Sequence, residues 1–221
     1  MEIKELIIEL VNQGKYAKAK TEISKINPVD IAFFLEELEP AILLKVFRLL
    51  TKDIAADVFA HMSYEQQKYI VESISDAEIK TIVEDLFVDD AVDFLEEMPS
   101  NIVKRVLKNT NEDKRKIINQ FFQYPEDSTG SIMTIEYVDL KKEMTVQQAI
   151  EHIRKTGINK ETIDTCYVID RERKLEGVIS IRKLILSDET DLIKDIMYQD
   201  VIYAHTLDDQ EEVAFEFKRY N

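Results

Sequence analysis

Along the first half of the chain, apolar residues recur at i, i+3, i+4 and i+7, the spacing that lines one face of an α-helix. The quartets themselves repeat every twelve residues: Ile31, Phe34, Leu35, Leu38, then Leu43, Val46, Phe47, Leu50, then Ala55, Val58, Phe59, Met62. They continue as Gln67, Ile70, Val71, Ile74, then Ile79, Ile82, Val83, Leu86, then Ala91, Phe94, Leu95, Met98. Ile102, Val103, Val106 and Leu107 extend the pattern, and Ile7, Leu10, Val11 and Ala19, Ile23, Ile26 fit it less completely upstream. Asn27, Thr51, Ser63, Ser75 and Asn111 stand where helices should start and are good N-caps. Ser63 with Gln66 and Ser75 with Glu78 have capping-box spacing, and Pro28, Pro40 and Pro99 suit first helical turns. Each unit is therefore a helix of about two to three turns, too short to be stable alone. Stacking such units predicts an α-solenoid, a superhelix of short helices over residues 1–124.

The period changes after Tyr124. Residues 125–131 hold Pro125 and Gly130, carry no apolar stripe and read as a linker. A β/α pattern follows over 132–190: an extended run at 135–138, and a helix capped by Thr145 that runs to Thr156 and stops at Gly157. Apolar runs at 166–170 and 177–181, joined by a charged turn, predict a buried strand hairpin, and a short helix at 183–186 closes the β-α-β-β-α unit. A second copy begins at 191–221, offset by 64 residues: Ile132-Met133 recurs as Ile196-Met197, Val138 as Ile202, and the helix at 146–150 as 210–214. It stops before its hairpin, so exposed apolar surface and a continuation of the natural chain are expected.

Composition narrows the function classes. With 29 basic against 44 acidic residues the net charge is −15, which excludes a nucleic-acid surface and favours cationic partners. The single cysteine, Cys166, can form no internal disulfide, and the sequence has neither a signal-peptide pattern nor an apolar run long enough to cross a bilayer. A reducing, cytosolic setting follows. Four glycines and four prolines in 221 residues favour helices over an all-β fold.

The carboxylate-rich turn of the repeat is residues 88–98. Asp89 and Asp93 are four apart, so on a helix they stand one turn above the other and could share a cation. Asp53 and Asp57 occupy the same two offsets three units earlier, which in an alternating array puts them in a different row. Aspartates near a helix N-terminus also serve the macrodipole, and acidic faces are often only solvated. His61, His152 and His205 have no metal-ligand spacing, Cys166 reads as a small core residue, and Met62, Met98, Met133 and Met197 as core. With no glycine-rich phosphate loop and no triad pattern, the chain does not read as an enzyme.

Residues 132–186 resemble a cystathionine-β-synthase (CBS) domain, and 196 onward the start of a second. Helical repeats, the junction YPEDSTGSIMT and the run DDAVDFLEE together make the chain similar to the cytosolic region of MgtE-family magnesium transporters. The resemblance covers essentially the whole chain. It implies a multidomain α plus α/β protein that is the cytoplasmic region of a cell-membrane protein, homodimeric through its CBS domains and joined to a transmembrane domain of the same polypeptide. In that family, Mg2+ bound between the helical and CBS domains holds the region compact and favours the closed pore. The helical-domain ligands carry over to Asp89 and Asp93, with the backbone carbonyl of Gly130 and an acidic position at Asp57; most CBS-side ligands would lie past Asn221. A soluble adenosine-nucleotide sensor with a helical protein-binding platform is the alternative. CBS domains that bind nucleotides often place Asp three residues after the Ser or Thr ending the last strand, and here Ser180 is followed by Lys183, which cannot accept ribose hydrogen bonds.

Overall fold

Short helices with one apolar stripe each can bury it only against one another, and the first part of the molecule is built that way. The structure, a computed structural model, describes residues 3–220 and divides into two units, Met1–Gln123 and Tyr124–Asn221. The first unit contains α1 (Ile3–Asn12), α2 (Tyr16–Ile23), α3 (Pro28–Glu36), α4 (Pro40–Phe47) and α5 (Lys52–Ala60). It continues with α6 (Tyr64–Ser73), α7 (Asp76–Asp85), α8 (Val88–Glu96), α9 (Ser100–Asn109) and α10 (Glu112–Phe121). Helices pack on their next-but-one neighbours: α3, α5, α7 and α9 form one row, while α4 packs on α6 and α8 on α10 in the other. This is the solenoid the twelve-residue period predicts.

The quartets are the core. Ile31, Phe34 and Leu35, Val58 and Phe59, Ile70, Ile79, Ala91 and Leu95 are almost wholly buried, while Leu38 and Leu50 at stripe ends are half-buried. The register slips at α9, where Ile102 and Val106 are buried and Val103 and Leu107 only partly. Pro99 takes the N-cap position there rather than the first helical turn, whereas Pro28 and Pro40 do open their helices.

Caps form where their partners are free to turn inward. Asn27 accepts from the Val29 amide at 3.0 Å, Asn111 from the Lys114 amide at 2.9 Å, and Ser75 and Glu78 make the full capping box. The expected box of Ser63 with Gln66 does not form, although Ser63 holds the N-cap position. Gln66 lies partly buried with its Oε1 unbonded, while Gln67, in an apolar slot, donates to the Phe59 carbonyl at 2.8 Å. The array is cross-tied by Arg105 of α9, which donates to Asp76 at 2.8 Å and to the carbonyls of Val71 and Ile74 at 2.7 and 2.8 Å. It thereby satisfies the open C-terminal end of α6.

The second unit is built on a three-stranded sheet, β1 (Val138–Leu140), β2 (Thr165–Ile169) and β3 (Leu175–Ser180), with β1–β2 parallel and β2–β3 antiparallel. Strand β1 begins at Val138 instead of spanning 135–138, because only from there does β2 offer partners. The register Val138 to Cys166 and Leu140 to Val168 puts all four side chains in the core with Val146, Ala149, Ile179, Leu184 and Ile193. The connecting helix α11 (Val146–Thr156) starts with a Thr145–Gln148 capping box. Gly157 ends it, but with a right-handed φ of −64° leading into a 3-10 turn; a Cβ there would lie 2.9 Å from Ile163 Cγ2, so glycine is needed for space, not handedness. Helix α12 (Ile181–Ile185) starts two residues earlier than expected because Ser180 Oγ accepts from the Lys183 amide as its N-cap. The remainder holds α13 (Ile193–Ile196) and α14 (Gln210–Tyr220). Around Ile202 the described residues form no strand, and Ile185, Leu186, Ile202, Tyr203, Leu207, Phe215 and Phe217 are exposed. The stretch 125–131, expected as a linker, is folded into this unit: Ser128 forms a β-bridge with Asp209, and the Thr129 and Gly130 amides bond to Asp208 and Thr206. No helix among the described residues is long and apolar enough to cross a membrane.

Replacing Arg105 by Ala strips charged donors from two helix-end carbonyls and should destabilise the first unit by about 1–3 kcal/mol in urea unfolding, while Lys104→Ala on the exposed side should cost less than about 0.5 kcal/mol. Equal effects of the two would show that the cross-tie contributes nothing.

Candidate functional site

Helix α8 is amphipathic by its own sequence. Val88, Ala91, Val92, Phe94 and Leu95 are buried, and the outer side carries Asp93, Glu96 and Glu97 exposed, with Asp89 and Asp90 half-buried in the first turn. Phe87 at the N-cap offers no side-chain acceptor, so Asp89 and Asp90 supply the negative charge that the positive end of the helix favours. Asp89, Asp93 and Glu97 follow one another at helical-turn spacing. Partial desolvation, and then Glu97 beside it, push the Asp93 carboxyl above the usual carboxylate range.

Helix α5 repeats the arrangement with Asp53, Asp57 and, at its C-cap, His61. Desolvation first and Asp53 second hold the Asp57 carboxyl up, and His61 relieves part of this. Asp53 is held down instead, chiefly by the Thr51 hydroxyl and then by backbone amides. The two columns stand in different rows of the solenoid, as their spacing implies, but the rows touch here. Helix α5 packs on α8, with the Phe59 and Phe94 rings edge to face at 5.0 Å and 76°. That contact is invisible in the repeat itself, and Glu97 as the next carboxylate after Asp93 is the one participant that spacing alone could have added.

Gly130 lies in the second unit, buried, with its amide donating to the Thr206 carbonyl at 2.8 Å. A Cβ there would fall 2.6 Å from the Tyr124 ring and 2.8 Å from that same carbonyl, so no larger residue fits without a shift. Among the described residues, no group of three or more His, Cys, Asp and Glu is close enough to hold a metal ion. Each aspartate column is thus at most part of a ligand set. Its chemistry is that of a hard, water-retaining cation such as Mg2+, which takes one or two carboxylates and keeps several waters. Desolvation is the larger cause of both raised carboxyls and a neighbouring acid the smaller, and either would be offset by a bound cation.

The other candidates stand apart from the aspartate columns. His152 sits on α11 and His205 beside the Tyr203 ring at 5.6 Å. Cys166 is fully buried in the sheet, and burial pushes its thiol up to about 11, away from any nucleophilic thiolate. Lys183 is exposed at the start of α12.

Comparison with known proteins agrees with both units. The family model described as MgtE intracellular N domain matches residues 26–127, and the CBS domain model matches 130–188. The magnesium transporter MgtE of Bacillus subtilis is 30% identical over 97% of this chain and 48% of its own length; that of Thermus thermophilus is 31% identical over 93% and 46%. The chain spans about half the length of the curated relatives it matches. A crystal structure of the soluble part of a magnesium transporter superposes with a TM-score of 0.92 at 25% identity, covering 99% of this chain and 86% of that one. The cytosolic domain of the Mg2+ channel MgtE in complex with ATP gives 0.88 at 31%, covering 96% and 87%.

A carboxyl raised on folding binds protons more readily in the folded state, so its contribution to stability is largest at acid pH and is lost as pH rises through the raised value. At neutral pH without divalent ions, Asp57→Asn and Asp93→Asn should therefore raise the melting temperature slightly, the gain in stability being less than about 1 kcal/mol for such solvent-screened groups. Asp53→Asn, which loses a depressed carboxylate, should lower it. Melting curves in EDTA check the contrast, and destabilisation by all three would show that folding does not disfavour the charged form of Asp57 and Asp93.

Proposed function

We propose, from the premise that this chain belongs to the MgtE family, that it is the cytosolic magnesium-sensing region of a magnesium channel or transporter. Its relatives carry the name magnesium transporter, and nothing in their names or in the site points to catalysis. The observation that carries the reading is the pair of aspartate columns on touching helices, each with one carboxyl held up by desolvation and by a neighbouring acid. In this reading Asp89, Asp93 and Asp57, with the carbonyl of Gly130, are the chain's share of an interdomain site. The remaining ligands come from CBS residues or from water. Bound Mg2+ would supply charge neutralisation between the helical domain and the CBS domains.

A site split between domains is occupied only when they are docked, so ion concentration shifts a docked/undocked equilibrium through differential binding. Few carboxylates and retained waters make such a site weak, which suits an ion present at millimolar concentration. Without the ion, a chain of net charge −15 repels itself and opens. The docked state favours the closed pore of a transmembrane domain carried by the same polypeptide. The exposed Ile185 and Leu186 of the first CBS repeat support a homodimer formed through the CBS units, since apolar surface of this kind needs a cover.

A second reading has one observation behind it, the ATP bound to the similar cytosolic domain. Here the side chain three residues after Ser180 is Lys183, exposed and unable to accept from ribose hydroxyls, which makes this half the weaker candidate for a nucleotide.

Millimolar Mg2+ should raise the melting temperature and reduce the radius of gyration of the purified chain, and Asp89→Ala with Asp93→Ala should remove most of both effects. Unchanged melting and scattering on adding Mg2+ would sink the sensor reading, and clear ATP or AMP binding alongside that silence would establish the nucleotide reading in its place.

A further inference from the structure

Acidic and basic side chains are segregated along the helical unit. Residues 26–99 hold seventeen acidic against five basic side chains, whereas residues 15–25, on and around α2, hold four lysines against one glutamate. That glutamate, Glu22, accepts from Lys25 at 2.8 Å through both carboxylate oxygens, so Lys15, Lys18 and Lys20 have no acid left on their own helix. All three are exposed and enter no ion pair among the described residues. Elsewhere in the unit Arg48, Lys52, Lys80, Arg105 and Lys116 each hold a carboxylate at 2.7–3.7 Å. Between its lysines α2 exposes the small side chains of Ala17, Thr21 and Ser24. The two hydroxyls donate back to the carbonyls of Ala17 and Thr21, at 3.0 and 3.1 Å, so only the lysines reach outward from this side.

Exposed apolar side chains gather in the same part of the array. Among the described residues of the helical unit, the large ones are Ile3, Tyr16, Val29 and Phe33, all within α1–α3, and Phe33 is 57% exposed. Helix α2 packs on α1 and α1 on α4, so cations and apolar groups share the N-terminal end of the array. Helix α2 also precedes residues 26–127, the stretch matched by the N-domain family model.

We propose that α2, with Tyr16 and the exposed side chains of α1 and α3, is a docking surface for the anionic headgroups of a lipid bilayer. Lysine is a hydrated point charge on a flexible stem, suited to a diffuse array of anions, while a shaped acidic protein partner is better met by the planar fork of arginine. No arginine occurs before Arg48. Exposed aromatic rings settle at headgroup depth, and each lysine near an anionic leaflet strengthens adsorption about fivefold. The attraction is local, because a chain of net charge −15 is as a whole repelled by such a surface. The surface is independent of the magnesium reading; only the closeness of a bilayer rests on it.

Cosedimentation of the purified chain with lipid vesicles, in EDTA and low salt, tests this. Vesicles of equal parts phosphatidylcholine and phosphatidylglycerol should retain at least about tenfold more protein than phosphatidylcholine alone. Salt at about 1 M, which shortens the screening length to about 3 Å, should release it. Lys15→Gln, Lys18→Gln and Lys20→Gln together should bring binding down to the phosphatidylcholine level. The matched set Lys45→Gln, Lys104→Gln and Lys108→Gln removes the same charge from exposed lysines elsewhere in the unit and should leave binding within about twofold. No excess on the anionic vesicles, retention in high salt, or equal losses in the two sets each overturns the proposal. If Mg2+ leaves melting and scattering unchanged while the anionic vesicles bind, the magnesium reading fails and the lipid surface stands; a normal Mg2+ response without vesicle binding is the reverse.

Discussion

A helix of two or three turns cannot hold itself together in water, and every feature of the first unit follows from that limit. Each helix carries one apolar stripe, which only a neighbouring stripe can cover. The row of α3, α5, α7 and α9, with α4 on α6 and α8 on α10 beside it, is the arrangement that covers nearly all of them. Polar cross-ties then take up the carbonyls that so many helix ends leave open. Arg105 on the end of α6 and Lys114 on the Leu86 carbonyl are the clearest of these.

The same constraint determines where the acids can stand. With the inner side of α8 committed to Val88, Ala91, Phe94 and Leu95, the outer side is left for Asp89, Asp93 and Glu97, and the helical pitch lines them up. Packing of Phe59 against Phe94 brings a second such column on α5 alongside. The two helices meet through buried apolar faces, and each keeps its acidic column on its own outer side. In the proposed reading, a hard cation is the species that would relieve such a surface without a preformed metal cage.

The second unit obeys a different logic. Its parallel β1–β2 pair needs a crossover, supplied by α11, and its hairpin needs a tight return, supplied by Asp170, whose carboxylate accepts from the amides of Glu172 and Lys174. Arg173 takes the left-handed position in that turn at φ 65°, with its guanidinium donating to the Tyr137 hydroxyl. The junction preceding the sheet uses backbone hydrogen bonds in place of apolar burial, so its order leaves no hydrophobic signature.

Periodicity alone determined the solenoid, the helix starts at Asn27, Ser75 and Asn111, the strand hairpin and the aspartate pairs, because burial of a stripe and local capping are written into spacings of three and four residues. It misjudged features that depend on residues far away in the chain. Ser63 and Gln66 have capping-box spacing but do not pair, β1 waits for its partner strand, and Gly157 is required by Ile163 rather than by handedness. The contact of α5 with α8 and the ladder from 127–130 to 206–210 were decided by tertiary structure alone. Both join segments by packing or backbone bonds that impose no pattern on either segment's own sequence.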